Sequence, residues 1–411
     1  MTSLWLAESE RRAPAAPPPH ADVVIVGAGI AGIATALHLA RRGVAVAVLD
    51  AGDVASRASG RNDGQLLLGL GEHYNRIHGQ FGDARARALW DFLQQNHDAL
   101  LAELRHGGVA CDLAVRGGLR LAETPHEWRE LRDAAALLAA EHKAHQLVER
   151  DALADWLPLA RGFHGALHLP GEAIVQPVAM VRGLAELASA HGVRIAERCT
   201  VTGIDGEAGD FAVALAGGGE VRAPVVVHCT STLARELDHT GFLSRCVFPF
   251  RGQILATERL PVELAEQLPP FAMSSNFCYE YCRVHRGRFV IGGKRWAVPG
   301  EELGILDDRS HNEQVSAHLL DYVRAHFPAL ADVPFPHVWT GIMAGTPDGL
   351  PLCGALPGQT GVFALLGFNG YGLSFAYLAA RCLADLIVDG SSDHPALPMF
   401  APRRLASAGT R

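Results

Sequence analysis

Three glycines and one acid carry the most readable chemistry in this chain. Gly27, Gly29 and Gly32 form G-x-G-x-x-G directly after the β-branched run Val23–Val26, and Asp50 closes a second apolar run, Val46–Leu49. That spacing suits a dinucleotide. The first glycine allows a tight turn, the second lets a pyrophosphate approach the backbone, and the third lets the following helix pack closely on the strand. The helix N-terminus then offers free N–H groups and the positive end of its dipole to the phosphates. Asp50 stands where an acid can accept both hydroxyls of an adenosine ribose. FAD or NAD is the expected ligand.

A strand–turn–helix–strand unit must hold these residues, and positions 22–50 read as that unit. Residues 72–106 and 125–143 read as mainly helical, as do 177–191, 311–327 and 372–388. Short strands are expected at 117–123, 163–170, 193–196, 201–205, 211–215, 225–228, 338–342, 352–355 and 363–365. From 247 to 293 the pattern is β-rich without a βαβ rhythm. The βαβ character therefore lies at the start, middle and end of the chain. This predicts an α/β fold in which a Rossmann-type nucleotide domain (21–80, 160–240, 337–400) is interleaved with an antiparallel-sheet substrate domain (81–159, 241–336). A proline-rich arm (1–20) and a tail (401–411) flank them, and the ligand is expected at the domain junction.

With 411 residues, 49% of them hydrophobic, the chain can bury two cores. A net charge of −8 without a basic block argues against nucleic acid. No run reaches transmembrane length, and Arg11-Arg12 lacks the apolar stretch of a twin-arginine leader, so a cytoplasmic protein without a membrane partner is expected. The eight cysteines have no C-x-x-C pair and read as reduced thiols, with Cys278 and Cys282 on one face of a strand. The histidines form no H-E-x-x-H and no metal spacing. No metal is expected.

Further motifs follow in order: Ala58 to Gln65 (ASGRNDGQ), Pro249 to Thr257 (PFRGQILAT), Tyr281 and Arg283 before RFVIGG at 288–293, Trp339 to Gly354 (WTGIMAGTPDGLPLCG), and Gly367 to Leu373 (GFNGYGL). With the opening glycines, they resemble the D-amino-acid oxidase/glycine oxidase superfamily of FAD-dependent amine oxidoreductases. The match is nearest to its gamma-glutamylputrescine oxidase-like branch and spans nearly the whole chain. Two positions depart from that branch: Asp63 replaces a glycine, and Tyr371 replaces a more usual histidine.

The resemblance implies FAD, contacted by Gly27, Gly29, Ile30, Ala31, Gly32, Asp50, Ala51, Ser59, Arg61, Asn62, Gly64 and Gln65. It also implies backbone contact from Val201, and contacts from Gly341, Asn369, Gly370, Gly372 and Leu373. The last loop would face the N1–C2=O edge of the flavin and stabilise negative charge there. Relatives with covalent flavin have cysteine or histidine where Gly341 and Arg61 stand, so non-covalent FAD is implied. Glycine oxidase-like enzymes also have a carboxylate-binding arginine just before T-x-D. Here Met343, Ala344 and Gly345 precede Thr346-Pro347-Asp348, which favours an amine over a simple amino acid.

Arg283 could replace that arginine, or could be a structural ion pair. Tyr279 and Tyr281 share its strand face and could wall a substrate cavity. Trp339, Met343 and Tyr371 are candidates for an apolar cage, or for core packing. Lys294 is a candidate for oxygen activation beside the flavin, or for a plain salt bridge. The expected reaction is oxidation of an amine C–N bond by hydride transfer to flavin N5, giving an imine, with O2 reduced to H2O2. The alternatives are an amino-acid oxidase or dehydrogenase passing electrons to a carrier or quinone, a flavin protein without turnover, and an NADPH-driven monooxygenase. Oligomeric state is left open.

Overall fold

The computed structural model describes residues 1–406. Its nucleotide-binding half is built on a six-stranded sheet in the order Leu352–Ala355, Val362–Leu366, Val225–His228, Val23–Val26, Val46–Leu49, Arg194–Ala196. Every pairing is parallel except that of the edge strand Leu352–Ala355. Val23–Val26 and Val46–Leu49 are buried throughout, as expected for strands covered on both faces. On one face, helix Ile30–Ala40 packs between helices Pro177–Ala190 and Gly372–Asp389. On the other lies the meander Val201–Glu207, Asp210–Leu215, Glu220–Ala223, with its own apolar cluster. The chain leaves Val23–Val26 toward one neighbour and later returns on the other side at Val225–His228. The crevice at that reversal is where such sheets take ligands.

The second half is an eight-stranded sheet in the order His337–Gly345, Phe248–Ala256, Arg288–Gly292, Glu280–His285, Ala272–Ser275, Gly118–Leu121, Gly165–Leu169, Gln146–Glu149. It is antiparallel except where Ala272–Ser275 runs parallel to Gly118–Leu121. Helix Glu313–His326 helps seal its back through Val315, Leu319 and Val323. Its front faces the nucleotide half. Two strands that the sequence places with the nucleotide domain, Gly165–Leu169 and His337–Gly345, belong to this sheet instead. Their alternating pattern identifies a strand but not the sheet that takes it.

The proline-rich arm at 1–20 is anchored at its start. Leu4–Ala7 is a helical turn, and Trp5 is completely buried (0% exposed). Trp5 Nε1 donates to Asn62 O at 2.6 Å, and Ser3 Oγ donates to Gly60 O at 2.6 Å. The tail is also partly tied down: Arg404 pairs with Asp348 at 2.7 Å, whereas 407–411 lie outside the described residues. No helix among the described residues is long and apolar enough to cross a membrane.

Candidate active site

The glycine turn is built as its spacing requires. Gly27 has φ +109, and a Cβ there would lie 2.6 Å from Cys229 O on the neighbouring strand. A Cβ on Gly32 would collide with Gly27 O, so only glycine lets the helix start this close to the turn. Asp50 Oδ2 accepts the Ala28 N–H at 2.6 Å, and Oδ1 accepts the Gly52 N–H at 2.7 Å. Burial raises this carboxyl's pKa, against the lowering effect of those two donors. Ser59 Oγ accepts the Ile30 N–H at 3.0 Å, bringing the ASGRNDGQ loop onto the helix N-terminus.

A cavity of about 420 Å³ begins there. Gly29, Ile30, Ala31, Ser59, Arg61, Asn62 and Gln65 line one part of its wall. Gly341, Met343, Asn369, Gly370, Tyr371, Gly372 and Leu373 line another, and Tyr279, Tyr281, Phe248 and Phe250 line the sheet side. Gly252 and Gly341 are direct cross-strand partners on this wall; a Cβ at Gly252 would lie 2.8 Å from Met343 Cε and one at Gly341 3.2 Å from Arg61 Cβ, so the two glycines let those side chains pack against the sheet. Asn369 has φ +53; its Oδ1 accepts the Thr346 N–H at 2.9 Å, and its Nδ2 donates to Gly367 O at 2.8 Å. That turn aims the N-terminus of the eighteen-residue helix Gly372–Asp389 at the cavity.

These residues fit FAD. A helix N-terminus suits the pyrophosphate, a cavity walled by glycine turns and apolar side chains suits the ring, and a second helix N-terminus suits negative charge on it. Gly27, Gly32, Asp50, Ala51, Gly64 and Val201 lie outside the cavity wall. Gly27, Gly32 and Gly64 act by letting backbone or a neighbouring side chain approach, Ala51 is exposed, and Val201 opens the meander just after Cys199, whose N–H donates to Asp50 O. Arg61 is held by Ser56 O (3.0 Å), Thr340 O (2.9 Å) and Asp308 (3.4 Å), so its guanidinium is a staple of the loop.

The 365-residue stretch 22–386 matches the family model described as "DAO: FAD dependent oxidoreductase". The chain belongs to this family. It is 27% identical over 367 residues to gamma-glutamylputrescine oxidoreductase of Escherichia coli (strain K12), covering 89% of this chain and 83% of that one. It is also 27% identical over 400 residues to glycine oxidase of Geobacillus kaustophilus (strain HTA426), covering 94% and 98%. The crystal structure of glycine oxidase from Geobacillus kaustophilus superposes with a TM-score of 0.78 at 24% identity, over 93% of this chain and 98% of that one. L-proline dehydrogenase from P. horikoshii shares the fold with a TM-score of 0.80 at 20% identity, over 96% and 100%. This DAO-family protein is an FAD-dependent oxidoreductase.

Three residues suggested as catalytic by the sequence are kept out of the DAO cavity. Arg283 is 1% exposed, and its Nη1 donates to Asp63 O (3.0 Å), Gly64 O (2.9 Å) and Val175 O (2.6 Å). Burial lowers its pKa to about 10. It shares the strand face of Tyr281, but the flavin loop and Trp5 cover it. Trp339 is wholly buried, donating to Arg61 O at 2.9 Å beside Trp5. Lys294 pairs with the buried Glu280 at 3.4 Å and lies over the Trp296 ring. Tyr281, Met343 and Tyr371 do line the cavity. Burial, and after it the Asp63 charge, raises the Tyr281 phenol's pKa.

The cavity also holds groups that were not singled out as site residues. Arg295 reaches it where Lys294 does not, with its guanidinium 4.9 Å from the Phe250 ring centre and 5.9 Å from that of Tyr279. Gly293 (φ +121) and Lys294 (φ +58) form a turn that breaks the strand alternation between them. Asp63, noticed only as a departure from a pattern, lines the cavity as well. Cys278 is not in the strand with Cys282. Left-handed residues at Asn276, Phe277 and Cys278 turn it into the cavity, while Cys282 packs in the rear core.

Proposed function

We propose that this DAO-family chain oxidises the C–N bond of a small amine, with O2 as the final acceptor. The observation that carries the reading is the cavity wall beside the Gly252–Gly341 pair. It is built from Tyr281, Met343, Phe250 and Tyr371, with Met343 near the T-P-D turn where an amino-acid oxidase would need a cation. The names of the relatives support the same bond class, one naming a putrescine conjugate and the other glycine. Bound in the cavity, FAD supplies the two-electron acceptor. The protein's own contribution is placement. Phe250, Met343 and Tyr371 exclude water, the Tyr281 phenol offers a hydrogen bond, and the helix starting at Gly372 stabilises negative charge.

A second reading is favoured by Arg295: an amino acid or carboxylated amine, with its carboxylate held at the aromatic-stacked guanidinium. Oxygen-electrode assays over primary amines, secondary amines and amino acids test both. The amine reading expects O2 uptake matched by H2O2 and a carbonyl product. Uptake restricted to α-amino acids, abolished by Arg295→Gln, would replace it with the second reading. Turnover with a dye but not with O2 would make the enzyme a dehydrogenase.

A further inference from the structure

Asp63 is a carboxylate whose charged neighbour, the buried Arg283 guanidinium, donates to neither of its side-chain oxygens. It lines the cavity, mostly buried, in the loop that caps the dinucleotide helix. Its Oδ1 accepts the Gln65 N–H at 3.3 Å, and no protein donor meets Oδ2 among the described residues. The neighbouring guanidinium of Arg283 bonds the Asp63 carbonyl oxygen instead, together with Gly64 O and Val175 O. The related pattern has glycine at this position, so the fold does not require an acid here. Burial disfavours this charge, and Arg283 offsets only part of that cost, because the Asp63 pKa stays raised. A group kept at such a cost is suited to a ligand of opposite charge.

We propose that the Asp63 carboxylate binds the substrate's ammonium group and takes one of its protons before the C–N bond is oxidised. This rests on the amine reading above. An ammonium nitrogen has no lone pair with which to form C=N, so a proton must leave first. The ammonium gives that proton to Asp63 Oδ2 and becomes the neutral amine, with its α-hydrogen still on carbon. Loss of that hydrogen as hydride then leaves a protonated imine, C=N with the positive charge on nitrogen, and both electrons leave with the hydride to the FAD. The cavity favours the transfer because burial disfavours both charged partners. Burial raises the Asp63 pKa to about 6, against the lowering effect of Arg283. The other charged or titratable groups near it are Tyr281 on the same strand face as Arg283, Arg295 beyond Tyr281, and Arg61 on its own loop, held by Asp308; the Cys282 thiol lies behind, on the opposite strand face.

The test uses the FAD-loaded enzyme and two amines without an α-hydrogen, tert-butylamine and 2-phenylpropan-2-amine, which bind without reacting. Binding is read from perturbation of flavin absorbance between pH 5 and 8. The expected result is wild-type affinity that falls as pH drops through about 6, where Asp63 becomes neutral. In Asp63→Asn, affinity falls at least about tenfold at pH 7.5, the scale of one charge-assisted hydrogen bond, and loses that pH dependence. Asp63→Gly, with the residue of the related pattern, behaves like the asparagine variant. Equal affinity and an unchanged profile in both variants overturn the proposal, as does failure of both probes to bind while reactive amines still reduce the flavin. If no amine binds or reduces the flavin, the amine reading itself falls, and this inference with it.

Discussion

Asp63→Asn should make the protein more stable while impairing its cavity. Burial raises this carboxyl's pKa from 3.8 to about 6. In the unfolded chain it ionises first, so between these values the folded state binds more protons, and stability falls as pH rises. Above pH 6 the full penalty applies: about two pKa units at 1.36 kcal/mol each, or about 3 kcal/mol. Asparagine keeps the shape and the acceptor for the Gln65 N–H, yet never ionises. Urea unfolding with FAD in constant excess should therefore show the variant more stable by up to about 3 kcal/mol at pH 7.5. The gain should shrink to about half at pH 5 and vanish below about pH 4. A variant less stable than wild type at pH 7.5 would refute the reasoning, because it would mean that the carboxylate has a stabilising partner within the protein.

Other expectations concern the turn and the residues kept out of the cavity. Gly32→Val would force a Cβ into Gly27 O, so the purified protein should lose its flavin, read from the 450 to 280 nm absorbance ratio. Arg283→Met leaves three backbone carbonyls without their donor and should cost about 3 kcal/mol or more in urea unfolding. Any rise in KM of the folded fraction, through the higher pKa of Asp63, should be the same for simple amines and carboxylated substrates; a selective rise for carboxylated substrates would make Arg283 an anchor after all. Lys294→Met removes the partner of buried Glu280 and should lower the melting temperature. Its stopped-flow rate of flavin reoxidation by O2 should stay at the wild-type value, and a large drop would restore Lys294 to oxygen chemistry.

The parts of this fold that could be read in advance are those dictated by local geometry. Val23–Val26, the glycine turn and helix Ile30–Ala40 lie where spacing puts them, because each glycine answers a steric demand from its immediate surroundings. Sheet order is non-local: nothing in Gly118–Leu121 announces its parallel partner Ala272–Ser275, far along the chain. Trp5 stands in a polar, proline-rich arm without periodicity, so its place beneath the flavin loop was invisible. Alternation correctly put Tyr281 and Arg283 on one face, but could not tell which would be covered. The left-handed residues at 276–278 and 293–294 broke alternation where it mattered most, sending Cys278 and Arg295 into the cavity and Lys294 to Glu280.

Anaerobic titration of the FAD-loaded protein with individual amines and amino acids, followed at 450 nm, bears most directly on the central claim. Stoichiometric bleaching by a small amine, with a carbonyl compound recovered after hydrolysis, is the predicted result. A flavin bleached only by α-amino acids, or by none of these compounds, would contradict it.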